Sequence, residues 1–469
     1  MDDPVAAARR HRQEHGPAIL SEFIELLALP NVAGDPGLDR NAIWIRDALR
    51  RRGVRAAVTQ IPGAAPVIFG RVDGSPAGRT IGMYAHFDGQ PVVPDRWASA
   101  PFAPTVRSGR LEDGAEVVPP PWDRVEEEWR IYARGSADDR APIMALLAAL
   151  DALRGRPVRN SVVFLFEGEE ESGSPHLAEY LDLLGGRLQA ELWLVCDGPV
   201  HQTGRSQVVF GVRGIADIEI EVYGPPSDLH SGHYGNWAPN PVALLAELIG
   251  SMGDEQGRPT VVGLEGPDPD EAALAAAAAL PGPGDLGYPE PEGPPLAARH
   301  LWPLLNLRGI RAGDVGRATR NVVPASAVAS IDLRLVAGQD PEEAIEAVRR
   351  HVQARGYHVV PGAPDPATRR AHRRIARIHG VPGYPGVRTD PTLPEAQWVC
   401  RRVAEAAGEQ PLVVPSFGGS VPLHHLVSLG APLAIVPIAN HDNHQHGADE
   451  NLRLGNLWLG IDLMAALLG

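Results

Sequence analysis

The chain has 469 residues, more than one ordinary hydrophobic core organises, so two domains are expected. Its composition, 44% hydrophobic and 22% charged, is globular, and no apolar run reaches the roughly 18 residues of a membrane-spanning helix. A formal net charge of -15 argues against a nucleic-acid partner, and the absence of any lysine excludes a pyridoxal Schiff base and the standard phosphate-loop lysine.

In chain order, a charged opening, MDDPVAAARRHRQEHG, lacks the apolar stretch of a signal peptide. Helical apolar periods follow at 17–29 and 40–53, then short β-rich runs at 66–71 and 80–85. An apolar helix is predicted from Ala141 to about Leu153, then buried strands over Ser161–Phe166 and Glu191–Cys196. Helices alternating with nearly all-apolar strands indicate a mostly parallel sheet covered on both faces. Near residue 211 the pattern changes. Ile215–Val222 and Val328–Val336 alternate like half-exposed antiparallel strands, and helices are predicted at Pro241–Met252 and 341–355. Residues 253–300, rich in Pro, Gly and Ala, read as loops with one Ala-rich helix. From about 388 the first style returns, with helix Glu395–Ala407, strand Pro432–Pro437 and a closing helix Leu457–Leu468. The expected fold is α/β: a discontinuous domain, 1–211 and 388–469, interrupted by an α+β insert at 212–387. Only two cysteines occur, Cys196 and Cys400, far apart, which excludes a disulfide framework and suits a reducing cytoplasm.

The chemistry concentrates at predicted strand ends. His86-Phe-Asp88 closes one strand, Asp138-Asp139 precedes the 141–153 helix, Glu167-Gly-Glu169-Glu170-Glu171 closes the next strand, and Asp197 closes another. His441, Asp442, His444 and His446 form a fourth cluster beside a late strand. Open α/β sheets place ligands at the carboxyl ends of their strands. Carboxylates and imidazoles gathered at one sheet edge repel unless cations hold them, and zinc accepts this mixture of N and O ligands. Each element alone is weak, since a His-x-Asp pair is commonly structural and a Glu run is commonly solvated. Their joint occurrence carries the metal-site reading.

The order of these motifs resembles metallopeptidase family 20, the co-catalytic zinc peptidases that include carnosinase, cytosolic non-specific dipeptidases, acetylornithine deacetylase and succinyl-diaminopimelate desuccinylase. The resemblance runs through Tyr84-Ala-His-Phe-Asp-Gly-Gln-Pro-Val92, Arg134-Gly-Ser-Ala-Asp-Asp-Arg140, Phe166-Glu-Gly-Glu-Glu-Glu-Ser-Gly-Ser174, Asp228-Leu-His-Ser-Gly232 and His446-Gly-Ala-Asp-Glu450. It implies that Asp138 bridges two zinc ions, with manganese or cobalt as alternatives. His86 and Asp197 would complete one site, and Glu171 and His446 the other. Such a pair polarises a scissile carbonyl and lowers the pKa of a bridging water. Glu170 matches the family's general base, and Asp88 would fix the tautomer of His86. His230 matches a histidine that reaches the active site across a homodimer interface to stabilise the oxyanion, a helix-start or turn histidine being the alternative. Arg334 matches an arginine that grips a substrate carboxylate, with Gly418-Gly419-Ser420 offering backbone donors; a structural ion pair and an ordinary glycine turn are the respective alternatives.

Two departures stand out. Asp138-Asp139-Arg140-Ala141 replaces the usual Asp-Asp-Lys-Gly, which puts the local helix entry in question, and the 110–130 stretch, with Pro119-Pro-Pro-Trp122, is longer than usual. The expected function is hydrolysis of a peptide or amide bond in a small substrate with a free carboxylate, first as a dipeptidase. The alternatives are an N-acyl amino-acid deacylase or specialised amidohydrolase, and a non-catalytic binding protein on the same scaffold.

Overall fold

Five of the strands expected from the sequence fall in one eight-stranded mixed sheet, completed by Arg55–Thr59, Gln207–Val209 and Leu412–Val414. In this computed structural model, which describes residues 3–284, Gly287 and 291–469, the order is Arg55–Thr59, Val67–Val72, Ser161–Glu167, Thr80–His86, Leu192–Val195, Leu433–Ile435, Gln207–Val209 and Leu412–Val414. The central four run parallel, while the two strands at the first edge pair antiparallel. Ser161–Glu167 and Leu192–Val195 are buried along their whole length, as strands covered on both faces must be. Ile81, Met83 and Ala85 face a core shared with helices Pro4–Leu27, Leu38–Arg51, Arg140–Ala152, Pro394–Ala407 and Leu454–Leu468. Tyr84, on the opposite face, joins Trp193 and helix Leu177–Leu184. Gly82 is required for packing, because Trp193 fills the space a side chain there would occupy.

The first helix is longer than its periodicity indicates. It begins at Pro4, where the Asp3 side chain accepts the Val5 N–H, and continues through Pro17. An internal proline costs about 3 kcal/mol, yet the helix buries Ile19, Leu20, Phe23, Leu26 and Leu27, and Arg9 and Arg12 grip Asp462 of the closing helix at 2.9 and 3.2 Å. Packing overrides propensity here.

A second sheet has the order Leu304–Ala312, Ser326–Leu335, Gly214–Tyr223, Ile375–Tyr384 and His358–Val360. Its pairs are antiparallel except the last, which is parallel. Gly214–Tyr223 alternates buried and half-buried positions, and helices Pro241–Gly250 and Pro341–Ala354 cover its buried face. Leu304–Ala312 is an edge strand exposed over most of its length, so it carries no alternation for a sequence reading to find. The Ala-rich helix is Glu271–Ala278, capped by Asp270. A two-stranded ribbon, Gly211–Val212 against Val387–Arg388, ties together the two ends of the segment bearing this second sheet. Among the described residues, no helix is long and apolar enough to cross a membrane.

Candidate active site

The parallel strands deliver the acidic and histidine residues to one edge. His86 is the last residue of Thr80–His86, Asp197 lies two residues past Leu192–Val195, and Glu170 opens a short turn after Ser161–Glu167. Asp138 stands just ahead of helix Arg140–Ala152, and His446 lies in the loop between Leu433–Ile435 and Asn451–Arg453. Asp138 is central. One of its oxygens is 3.0 Å from His86 Nε2 and the other is 3.1 Å from His446 Nε2. His446 Nε2 is also 3.3 Å from Glu171 Oε2. Two sets of converging donors therefore share Asp138: His86, Asp138 and Asp197, and Asp138, Glu171 and His446, each with ligand atoms within 4.8 Å of one another. His446 is 55% exposed while His86 and Asp138 are buried, so the centre opens on the His446 side.

Three neighbouring glutamates separate by direction. Glu169 turns away to accept the Ala65 N–H at 2.8 Å and pair with His176. Glu170 lies 3.9 Å from His86 Nε2, and Glu171 accepts from Gln90 at 2.7 Å. Glu167 is tied to the Tyr84 hydroxyl at 2.5 Å and the Ser174 hydroxyl at 3.1 Å. His86 Nδ1 faces Asp88 Oδ1 at 3.3 Å, near enough for charge pairing but too poorly aligned for a hydrogen bond. The other Asp88 oxygen accepts the Glu171 N–H at 3.1 Å.

Electrostatics set these groups against one another. Burial, then Asp138, raises Asp197 to about 6; burial and Asp138 raise Glu171 to about 7. Burial lifts Glu170 well above the carboxylate range, with Asp197, Asp138 and Glu171 adding to the rise against His86. Asp138 alone is lowered, because hydrogen bonds from His446 and His86 outweigh its burial. Glu171 Oε1 is buried with no hydrogen-bond partner. A crowded set of N and O donors with an orphaned carboxylate oxygen fits divalent cations of the zinc class.

Several supports were not singled out by the sequence reading. Glu450 is fully buried and accepts from Arg134 at 2.7 Å and from the backbone N–H groups of Gly135, Ala137 and Asp138 at 2.9, 2.9 and 3.0 Å. Its place four residues after His446 was the available signal. Arg140 is also fully buried, donating to the carbonyls of Leu26, Leu29 and Arg134 and to Asn41. The helix starts at Arg140 with Ala141 packed at 0% exposure, so the missing glycine leaves helix entry intact. The long connection braces the histidine loop: Arg110 reaches Asp442 at 3.3 Å and Glu112 reaches His444 at 3.2 Å.

The predicted carboxylate-binding groups also meet. Arg334 donates to Ser420 Oγ at 2.9 Å while pairing with Asp332 at 3.1 Å, the structural ion pair that is its alternative reading. Gly418 O and Gly419 O accept from Arg213 at 2.9 and 3.1 Å. Tyr384 lies in the same row across the second sheet, Ile215 facing Arg334 on one side and Tyr384 on the other. Its phenol is raised to about 12 by burial and by Glu170, against Arg334, so it sits within the field of both. His230 is not brought to the acidic cluster. It is exposed on Leu229–His230, its Nδ1 accepting the Gly232 N–H at 3.1 Å and its ring 4.6 Å from that of His233.

Residues 82–469 match the family model described as Peptidase family M20/M25/M40. The Cys-Gly metallodipeptidase dug1 of Schizosaccharomyces pombe is 24% identical over 426 residues, covering 85% of this chain and 81% of its own. An M20 family metallo-carboxypeptidase, Sso-CP2 of Sulfolobus solfataricus, superimposes with a TM-score of 0.73 at 25% identity, covering 96% of this chain and 98% of that one. The dipeptidase Dug1p of Saccharomyces cerevisiae superimposes with a TM-score of 0.70 at 20% identity, covering 99% and 98%.

Proposed function

From the premise that the chain belongs to peptidase family M20/M25/M40 and is a hydrolase of that family, we propose that it is a two-metal dipeptidase. The observation that carries this reading is Asp138, whose two oxygens each face a different histidine, 3.0 and 3.1 Å away. In this assignment His86, Asp138 and Asp197 hold one ion, and Asp138, Glu171 and His446 the other, with zinc the first choice and manganese or cobalt alternatives. Bound ions would supply Lewis-acid polarisation of the scissile carbonyl and a more acidic water.

The remaining work belongs to side chains. Glu170, beside His86 and not needed as a ligand, takes the proton of the attacking water and returns it to the leaving amine. Asp88, whose Oδ1 lies 3.3 Å from His86 Nδ1, steadies that ring as its charge partner. Arg334, Ser420 and the Gly418-Gly419 backbone receive the free carboxylate of the substrate. Relatives named Cys-Gly metallodipeptidase support a dipeptide, rather than an N-acyl amino acid, as the substrate of this chain. We place the domain boundaries at the Gly211–Val212 and Val387–Arg388 ribbon, giving a catalytic unit of 1–211 and 388–469 and a lid of 212–387. His230, exposed on the lid, is assigned to the site of a second subunit in a homodimer, and the two buried, unpaired cysteines suit the cytoplasm.

The test is a mass-spectrometric hydrolysis screen of the zinc-loaded chain against dipeptides and N-acyl amino acids, with metal analysis alongside. Dipeptide cleavage is expected, with about two ions per chain in the wild type and loss at both sites in Asp138→Ala. Exclusive cleavage of N-acyl amino acids reassigns the enzyme as a deacylase. Full metal content in Asp138→Ala removes the bridging assignment.

A further inference from the structure

Gly418 is a glycine for reasons of space. Its backbone is not among those in the left-handed region, so conformation does not demand it. A Cβ there would lie 2.7 Å from Nε2, 2.9 Å from Cε1 and 3.1 Å from Cδ2 of His300. Real side-chain carbons do not approach that closely, so the His300 imidazole occupies the volume that any other residue at 418 would need. A Cβ on Gly419 would meet open space, so the next residue along is free of this constraint.

His300 comes from the Pro-, Gly- and Ala-rich stretch that carried no functional signal in the sequence. Burial followed by the nearby Arg213 lowers its pKa to about 4, against the Ser416 backbone, which keeps the ring neutral near pH 7. It stands between two cavities of about 220 and 120 Å³, both of which it lines together with Ser416. Truncating it would remove the side chain packed behind Gly418. The other attachments of the 416–420 segment also come from outside it: Arg213 holds Gly418 O and Gly419 O, and the Ser420 hydroxyl receives Arg334 and donates to Gly214 O at 3.2 Å.

We infer that His300 is a positioning residue for substrate selection: packed against Gly418, it fixes the Gly418-Gly419-Ser420 backbone in the shape that receives a substrate carboxylate. The inference rests on the dipeptidase reading given above. A bidentate carboxylate contact loses strength steeply when its donors shift, whereas the metal-side chemistry does not touch this loop. The effect belongs in binding of carboxylate-bearing substrates, not in the chemical step.

Steady-state kinetics on zinc-loaded protein, with Cys-Gly and its C-terminal amide as paired substrates, tests this. His300→Ala should raise KM for Cys-Gly about tenfold, a loss of about 1.4 kcal/mol, leave kcat within about twofold, and leave the amide unchanged. His300→Phe, which keeps a ring behind Gly418, should lie between the two. Gly418→Ala should lose carboxylate discrimination, and the double variant His300→Gly/Gly418→Ala should recover at least part of it by vacating the clash. Thermal midpoints and metal content identify a variant that has failed to fold. An active wild type whose discrimination survives His300→Ala, or a double variant no better than Gly418→Ala, overturns this inference alone. A wild type inactive on both substrates overturns the dipeptidase reading, and this inference with it.

Discussion

At the scale of single residues, the triple-glutamate segment shows how one fold assigns different tasks to identical side chains. Glu169 is consumed by Ala65 and His176, Glu171 turns to His446 and Gln90, and Glu170 is left beside His86 with its carboxyl raised by burial. A carboxyl raised in this way is a better proton carrier than one at its ordinary value. Glu170→Gln should therefore keep its metal while lowering kcat by at least about 10²-fold. Elemental analysis and single-turnover rates check the two halves separately, and near-normal turnover would assign the base elsewhere. These residues were legible because each follows a strand with an unmistakable apolar signature. Glu450 and His300 were not, since a buried carboxylate serving backbone N–H groups and an imidazole filling a glycine's empty space are defined only by distant partners.

At the scale of elements, the site is a junction of loops, and Glu450 ties them together. It joins the turn that presents Asp138 to the loop that presents His446 through four donors. A glutamine in its place would turn an amide N–H₂ toward two of those donors. Glu450→Gln should cost about 3 kcal/mol, in the range for breaking a buried charged pair, and should weaken metal retention although Glu450 touches no ion. Denaturant unfolding of the zinc-loaded chain and competition with a chelator measure the two effects; unchanged values of both would reduce Glu450 to a bystander. Strands with strong periodicity, Gly214–Tyr223 and Ser326–Leu335 among them, are legible in the sequence to within a residue or two. Leu304–Ala312 is not, since its exposure leaves no pattern, and the first helix is legible only from 17 because the polar stretch after Pro4 hides the face that packs on the closing helix.

At the scale of the whole molecule, the acidic edge makes stability depend on metal and pH together. Glu171 at about 7 and Asp197 at about 6 stand above ordinary carboxylates, and His86 and His446 stand above ordinary histidine. Between their ordinary and their raised values these groups hold more protons in the folded chain than in the unfolded one, so their contribution to stability falls as pH rises, opposed by the partly buried His300 and His424, which are lowered to about 4. Metal-free protein should melt at a higher temperature at pH 5 than at pH 7.5, and added zinc should stabilise more at pH 7.5; a flat metal-free profile would contradict the crowding of these groups. The largest-scale question is whether one chain suffices. His230 is exposed on the proposed lid, engaged with Gly232 and His233, whereas the donors that need an oxyanion stabiliser lie at the carboxyl edge of the large sheet. A two-fold assembly would deliver that histidine from a partner, and such symmetry is the commonest among soluble oligomers. Chains carrying His230→Ala and chains carrying Glu170→Gln should each be nearly inactive. Mixed and allowed to exchange, they should regain activity, because one site of every heterodimer combines an intact Glu170 with an intact His230 from the other chain. At full exchange about a quarter of all sites are restored, since half the dimers are mixed and each has one good site of two. Exchange verified by native mass, with activity no higher than that of the parents, would mean that His230 acts within its own chain through closure of the lid, or not at all.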